Sequence, residues 1–468
     1  MVSKVAPSKN ILGTQPLADT LGKGNIVPVW RGVTTQINLD SAATTPPFTR
    51  THELVSKTME WYGSVHRGAG FSSVISTQLL ERAKEKILQF SGARENDIAI
   101  FSHNATNSLN ILARRFSNNF GAGFPIIVSE FEHSSNLLPW MNHGTIHVCK
   151  VDSNGDWDID ELEKLLIHTK ARAIAITAAS NITGRIIDVN SVSEVAHRHG
   201  ALVVVDASQF VAHRSLRTER GRDSWDFVVF AGHKMYAPYG VGVLVGPRET
   251  FANGWPDSPG GGTVNLIDKE DIVWADLPSR EEGGTPNYPG LLALAESCSI
   301  LEDIGFDKIM LHEAALTNHA FNTLNNVQGI NILRPLSESE RWLPIFPFTV
   351  DNHHHGLVAS YLGMEKGIAV RSGHLCQFEQ IRQLTHVTKE GQKKVFNEVK
   401  DGDLSNLYGI VRASTGLTTT LSDLTMLTEA LNEFLKTGTL ANYFQDSDGT
   451  FKIENWFPRI PAHFQISW

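Results

Sequence analysis

The chain has 468 residues, 41% hydrophobic and 19% charged, with a formal net charge of −9. That is globular composition with length for two or three domains, and its acidic balance excludes the basic footprint of a nucleic-acid binder. No apolar run is long enough to span a bilayer, residues 1–7 lack a signal-peptide core, and Cys149, Cys298 and Cys376 build no disulfide framework, so a reducing, cytoplasmic setting is expected.

Residues 1–35 carry scattered Gly and Pro and read as a partly extended arm. A short strand at 37–39 gives way to Asp40-Ser41-Ala42-Ala43-Thr44-Thr45-Pro46-Pro47, a loop entering the main domain. His66-Arg67-Gly68-Ala69-Gly70 is a polar, Gly-rich loop, and Leu79, Leu80, Ala83, Ile87 and Leu88 predict a helix over 73–90.

From residue 98 onward, apolar runs alternate with helical patterns. The run 98–101 leads through Asn104, Ala105 and Thr106 into a helical pattern at 109–116, an arrangement that suits a phosphate because free N–H groups and the helix dipole meet there. A capped helix with no ligand explains the same residues equally well. The run 125–128 ends near Glu130, Glu132 and His133. His143 reads as a turn residue and His147 as a surface-strand residue. The run 173–177 leads to Asn181, a helix is predicted over 189–199, and the run 201–205 ends at Asp206. Such alternation predicts βαβ units and a largely parallel, doubly wound sheet.

The next run, 227–230, ends in Ala231-Gly232, followed by His233-Lys234 and a second run at 241–244. Lys234 therefore sits on a tight connection between buried strands, a costly place for an ammonium group. A lysine that snorkels out of the turn is the commoner outcome. The sharper reading is a lysine whose charge burial removes, free to form a Schiff base with an aldehyde cofactor. Asp206 closes a strand 28 positions earlier, where α/β sheets place their ligands. A lysine with an Asp partner for a pyridinium nitrogen is what pyridoxal phosphate (PLP) requires. Thr106, His133, Asn181, Asp206 and Lys234 thus share one sheet edge and predict a single ligand crevice.

Loops at 260–262 and 283–287 precede a helix over 291–304 that carries the chain out of the large domain. A smaller α+β domain follows, with strands at 342–350, 368–371 and 407–413 and helices at 356–362 and 421–435. The expected division is an arm over 1–45, a large domain over 46–295, a small domain over 296–440 and a tail over 441–468. That tail is aromatic (Tyr443, Phe444, Trp456, Phe457, Phe464, Trp468) and docks on the body or on a partner subunit. His353-His354-His355 suggests a metal, but consecutive residues cannot all face one ion and no acid cluster supports them, so no metal is expected.

These residues form motifs in combination: LDSAATTPP, SVHRG, EHSSNLLPW, SNITG, DASQ, GHK, GGTPN, VRSGHLC and VRAS. Over about residues 38–435 the chain resembles the class V aminotransferase family of fold-type I PLP enzymes, in particular its SufS-like cysteine desulfurase branch. The resemblance implies a mostly parallel seven-stranded sheet flanked by helices and a smaller α+β domain. It implies that Lys234 holds the cofactor and moves the Cα proton, that Asp206 pairs with the ring nitrogen, and that His133 stacks on the ring. Gln209 would bond the ring oxygen, and Asn181 would hold substrate and cofactor. Thr106 and His233, with Ala105 also on the cofactor, would bind the phosphate, with Thr285 reaching across from the second subunit of a homodimer. Arg412 would grip the substrate carboxylate, with His66 also on the substrate side. Cys376 would take the substrate sulfur as a persulfide, releasing alanine, on a flexible, electropositive loop flanked by Arg371, Gly373 and His374. A sulfur-acceptor protein would follow. Cys149 and Cys298 read as structural.

The chain also departs from that branch. Ala231 stands where a Ser is expected and Ala105 where a Thr is common, and each removes a phosphate hydroxyl. Gly70 replaces a second His, and Gln377-Phe378-Glu379 replaces a small residue and Pro. A longer polar stretch near 388–403 lies between Cys376 and Arg412, and Thr418-Thr419-Thr420 replaces Tyr-Asn-Thr. Most of these changes touch the substrate end. The alternatives are therefore a C–S lyase, an epimerase or an aminotransferase on the same scaffold, with Cys376 a bystander.

Overall fold

The computed structural model describes residues 12–217, 224–335 and 341–459, with Pro461 and Phe464. The first eleven residues and Trp468 lie outside the described residues.

Seven strands build the main sheet: β1 (Asp97–Ser102), β2 (Phe124–Ser129), β3 (Gly144–Cys149), β4 (Ala173–Thr177), β5 (Leu202–Asp206), β6 (Phe227–Ala231) and β7 (Gly242–Pro247). Their order is β1-β7-β6-β5-β4-β2-β3. Strand β7 runs antiparallel to both neighbours, and the other pairings are parallel. Every residue of β4 and β6 is buried, which is why those runs read as continuous apolar stretches rather than alternating ones. One face is covered by α1 (Phe71–Phe90) and a long apolar helix at Tyr288–Ile304, the other by α2 (Ala105–Phe120) through Leu109, Leu112 and Phe116. This is the fold-type I sheet that the resemblance implies.

A second core surrounds an antiparallel sheet of β8 (Ile330–Ile332), β9 (Ile345–Val350), β10 (Arg371–Gly373) and β11 (Ile410–Ser414), in the order β8-β9-β11-β10. Ile37 and Leu39 pack into this core, and the Ile37–Asn38 strand pairs parallel with Ile368–Ala369. The predicted strand at 368–371 is therefore two strands, one serving the arm and one serving the sheet. The strand predicted over 342–350 starts at Ile345. The strand predicted over 407–413 starts at Ile410.

Residues between Cys376 and Arg412 are helical rather than merely polar. They form α3 (Phe378–Leu384) and α4 (Lys389–Lys400), the latter capped by the Thr388 hydroxyl accepting from Gly391 N–H at 3.1 Å. A C-terminal hairpin, Tyr443–Gln445 with Phe451–Ile453, straps this insertion: Leu404 N–H donates to Ser447 O, and Gln445 Nε2 to Ser405 O. His143 is not a turn residue; it ends the helix Leu138–His143. The three consecutive histidines have separate local partners. His353 meets Phe434 edge-on, His354 caps a helix and His355 contacts Leu407 O. Among the described residues, no helix is long and apolar enough to cross a membrane.

Candidate active site

The C-terminal ends of β1, β2, β4, β5 and β6 open on one cavity of about 330 Å³. Thr106, His133, Asn181, Asp206 and Lys234 all line it, as do Ala105, Gln209, His233, Cys376 and Arg412. The five separate strand ends thus converge, at the carboxyl edge where a doubly wound sheet leaves a crevice.

Lys234 projects from the short Gly232–Lys234 turn that follows β6. The turn is held from outside: Thr45 N–H donates to His233 O at 2.9 Å and Gly232 N–H to Val241 O at 2.8 Å. Burial lowers the Lys234 pKa to about 8, against an opposing pull from Asp206. No hydrogen-bond partner for its Nζ is found among the described residues, so the amine is free to react. Asp206 is buried and accepts from Ser208 N–H at 3.0 Å. Gln209 is also buried, its Nε2 donating to Ala42 O.

His133 caps a short turn, Ser134–Asn136, through Nδ1, which accepts from Ser135 N–H at 3.1 Å. Burial lowers its pKa, so the ring is neutral near pH 7. Beneath it lies Glu132, whose carboxylate accepts from Ser129 Oγ (2.7 Å), Asn136 Nδ2 (2.8 Å) and Thr177 Oγ1 (2.7 Å). Burial raises the Glu132 pKa to about 7. His233 is driven down to about 4 by burial and by Lys234, so it is a neutral donor or acceptor.

At the opposite wall Arg412 is buried, donating to Asn181 O at 2.7 Å and to Asp40 Oδ1 at 3.2 Å. Arg371 reaches the other oxygen of Asp40 at 2.8 Å and lines the cavity. Burial lowers the Arg412 pKa to about 10, still fully cationic near neutrality. Two arginines sharing one carboxylate leave an excess positive charge facing the cavity, a seat for a carboxylate.

Cys376 is exposed and lines the same cavity. It and Leu375 both have positive φ, +62° and +51°, which non-Gly residues adopt only when their surroundings hold them there. The holding bonds are visible. Ser134 N–H and Oγ donate to Cys376 O, Asn181 Nδ2 to Leu375 O and Gln377 Nε2 to Phe131 O. The loop expected to be flexible is pinned. Nor is it electropositive at His374, which is buried between Phe378 and Tyr408 with its pKa lowered to about 4, so Arg371 carries the charge. Cys149 and Cys298 are buried away from the cavity, and burial pushes both thiols up, Cys149 to about 12. Thr285 and His66 are exposed and do not line the cavity of this chain. Sequence reading placed Arg371 beside Cys376 but missed Asp40, Glu132 and Ser135 as parts of the site. All three stand inside motifs already singled out, which was the available signal.

The family model for class V aminotransferases matches residues 37–427. The chain belongs to that family. This class V aminotransferase-family protein is 33% identical over 347 residues to a probable cysteine desulfurase of Halalkalibacterium halodurans, covering 73% of this chain and 84% of that one. It is 33% identical over 373 residues to a probable cysteine desulfurase of Staphylococcus epidermidis, covering 78% and 89%. Among solved structures, a cysteine desulfurase of Thermococcus onnurineus superposes with a TM-score of 0.75 at 26% identity, covering 86% of this chain and 95% of that one. One from Escherichia coli gives 0.72 at 26%, with the same coverage.

Members of this family use PLP, and the residues present fit it. The Nζ of Lys234 is unengaged beside Asp206. The buried Asn181 Oδ1 has no hydrogen-bond partner. The N–H groups of Ala105 and Thr106, at the start of a 16-residue helix, meet no acceptor among the described residues.

Proposed function

We propose that the chain is a PLP-dependent cysteine desulfurase, converting L-cysteine to L-alanine and passing sulfur to Cys376 as a persulfide. The observation that carries the reading is the presence of Cys376 in one cavity with Lys234, Asp206 and Arg412. The similarity to cysteine desulfurases supports it.

When bound, PLP supplies an electron sink for the substrate's Cα. Asp206 would hold its ring nitrogen protonated, His133 would lie against the ring, Gln209 and Asn181 would bond ring and substrate, and Thr106, His233 and the N–H of Ala105 would take the phosphate. Arg412 receives the substrate carboxylate. Lys234, with a pKa near 8, takes the Cα proton and later delivers one to the product. The Cys376 thiolate attacks the substrate sulfur. An S–S bond forms, the C–S bond breaks with its electron pair moving to carbon, and protonation there gives alanine. The sum balances: cysteine plus enzyme thiol gives alanine plus enzyme persulfide.

The proposal includes a homodimer in a reducing, cytoplasmic setting and a thiol acceptor, protein or small, that clears the persulfide. The exposed position of Thr285 supports a role on the partner's cofactor. His66, equally exposed, would act on a neighbouring subunit's substrate rather than in its own cavity.

A product analysis tests the reading. Purified protein with L-cysteine and a thiol reductant should yield alanine and sulfide in equal amounts, and Cys376→Ala should yield neither. Pyruvate with sulfide would mean β-elimination. That second reading draws on the pinned Cys376 backbone, which gives the loop little freedom to carry sulfur outward.

A further inference from the structure

Two hydroxyls expected in a phosphate seat are replaced by methyl groups here, at Ala105 and Ala231, and both methyls line the cavity. His233, at the same corner, is neutral at working pH and brings no charge. The seat would then consist of the free N–H groups of Ala105 and Thr106, the Thr106 hydroxyl and a neutral His233, with the partner's Thr285 as a further donor. The oxygens of a phosphate dianion accept more hydrogen bonds than these, and each further donor helps to offset the lost hydration.

The structure brings another hydroxyl into this corner. Ser135 lines the cavity, and its Oγ lies 2.7 Å from Thr106 Oγ1. Of two hydroxyls bonded to each other, one donates within the pair and the other keeps its proton free. With an anion at the start of the 16-residue helix α2, where the dipole favours it, both hydroxyls can rotate to donate to it rather than to each other. The Ser135 backbone is fixed independently of any ligand, its N–H being donated to His133 Nδ1. Its main chain is therefore placed by a turn that the site builds anyway, and its hydroxyl reaches Thr106 from there.

We infer that Ser135 is a phosphate ligand of the cofactor, supplying the hydroxyl that Ala105 and Ala231 no longer provide. The inference rests on the PLP reading above. It assigns to the segment after His133 a second task besides seating that ring.

The test is equilibrium binding to the apo-protein of two probes, PLP and pyridoxal, which lacks the phosphate, each followed by the visible absorbance of the bound aldehyde. Ser135→Ala should weaken PLP by about tenfold or more, the usual size of a lost hydrogen bond to a charged group. Pyridoxal affinity should stay unchanged, which also shows that the variant is folded. Ser135→Thr should retain PLP affinity, and Ala231→Ser in the Ser135→Ala background should recover most of the loss. Equal weakening of both probes would overturn the assignment, since Ser135 would then act only through His133. Unchanged PLP affinity in Ser135→Ala would overturn it too. Failure of the native protein to take up PLP at all would instead overturn the cofactor reading on which the assignment stands.

Discussion

Ser134 donates twice to the carbonyl oxygen of Cys376, from its N–H at 3.0 Å and from its Oγ at 2.9 Å. The two residues are 242 positions apart. One belongs to the turn that seats His133 and the other carries the exposed thiol, so the turn that carries His133 also holds the backbone from which the thiol projects. Consecutive left-handed residues at Leu375 and Cys376 cost of the order of 1–3 kcal/mol each, and these bonds offset that cost.

Ser134→Ala removes one of the two bonds and leaves the N–H. A neutral hydrogen bond contributes about 0.5–1.5 kcal/mol, so alanine production should fall roughly three- to tenfold. Cofactor absorbance should not change. Initial rates of alanine release check this, and a rate equal to the native enzyme's would show that the hydroxyl does not position the thiol.

Lys234 must be neutral to react with an aldehyde, and its pKa near 8 sets the pH at which it becomes so. Below that pH the reactive fraction falls about tenfold per unit. Uptake of PLP by the apo-protein should therefore speed up steeply from about pH 6.5 and level off above about pH 8. Stopped-flow absorbance measures it. Lys234→Ala should take up no PLP and turn over no substrate. A flat pH profile would mean that another group limits the reaction.

Much of this site was legible because a doubly wound sheet turns separate strand ends into neighbours. Thr106, His133, Asn181, Asp206 and Lys234 each follow a buried apolar run, and the topology alone brings them together. What was not legible depends on pairings across the chain. Asp40 bonds Arg412 from 372 positions away, and no local pattern announces that. The Cys376 loop looked flexible from its Gly and charged residues, yet its rigidity comes from Ser134, Asn181 and Phe131 on other elements. The 389–400 helix has no buried residue, and its short apolar stripe, Val395, Phe396 and Val399, is outnumbered by charged and polar residues, so the segment reads first as a polar stretch.

Arg412 already has an anionic neighbour in Asp40, and a substrate carboxylate must bind beside that charge. Arg412→Ala should raise KM for L-cysteine by about tenfold or more, because a charge-assisted contact is lost, with a smaller change in kcat. Asp40→Asn keeps the shape but removes the competing charge, so KM should fall. Steady-state kinetics of the two variants decide the matter, and an unchanged KM in Arg412→Ala would remove that residue from the substrate seat.

Glu132 is the buried carboxyl on which the His133 turn stands. Its folded pKa is about 7, against an ordinary value of 4.5, because burial outweighs the three hydrogen bonds it accepts. Between those two pH values the unfolded chain has released a proton that the folded chain still holds. Folding then becomes less favourable as pH rises, and the penalty is complete above about pH 7. Glu132→Gln keeps the shape, never ionises, and can still accept from Asn136 and Thr177 while the Ser129 hydroxyl rotates to accept from it. The variant's stability relative to the native apo-protein should therefore climb between about pH 4.5 and 7 and then level off, with a total gain of the order of 3 kcal/mol. Denaturant unfolding of both apo-proteins at a series of pH values measures that difference. A gap that does not change with pH would show that Glu132 ionises normally in the folded protein and that the turn beneath His133 tolerates its charge.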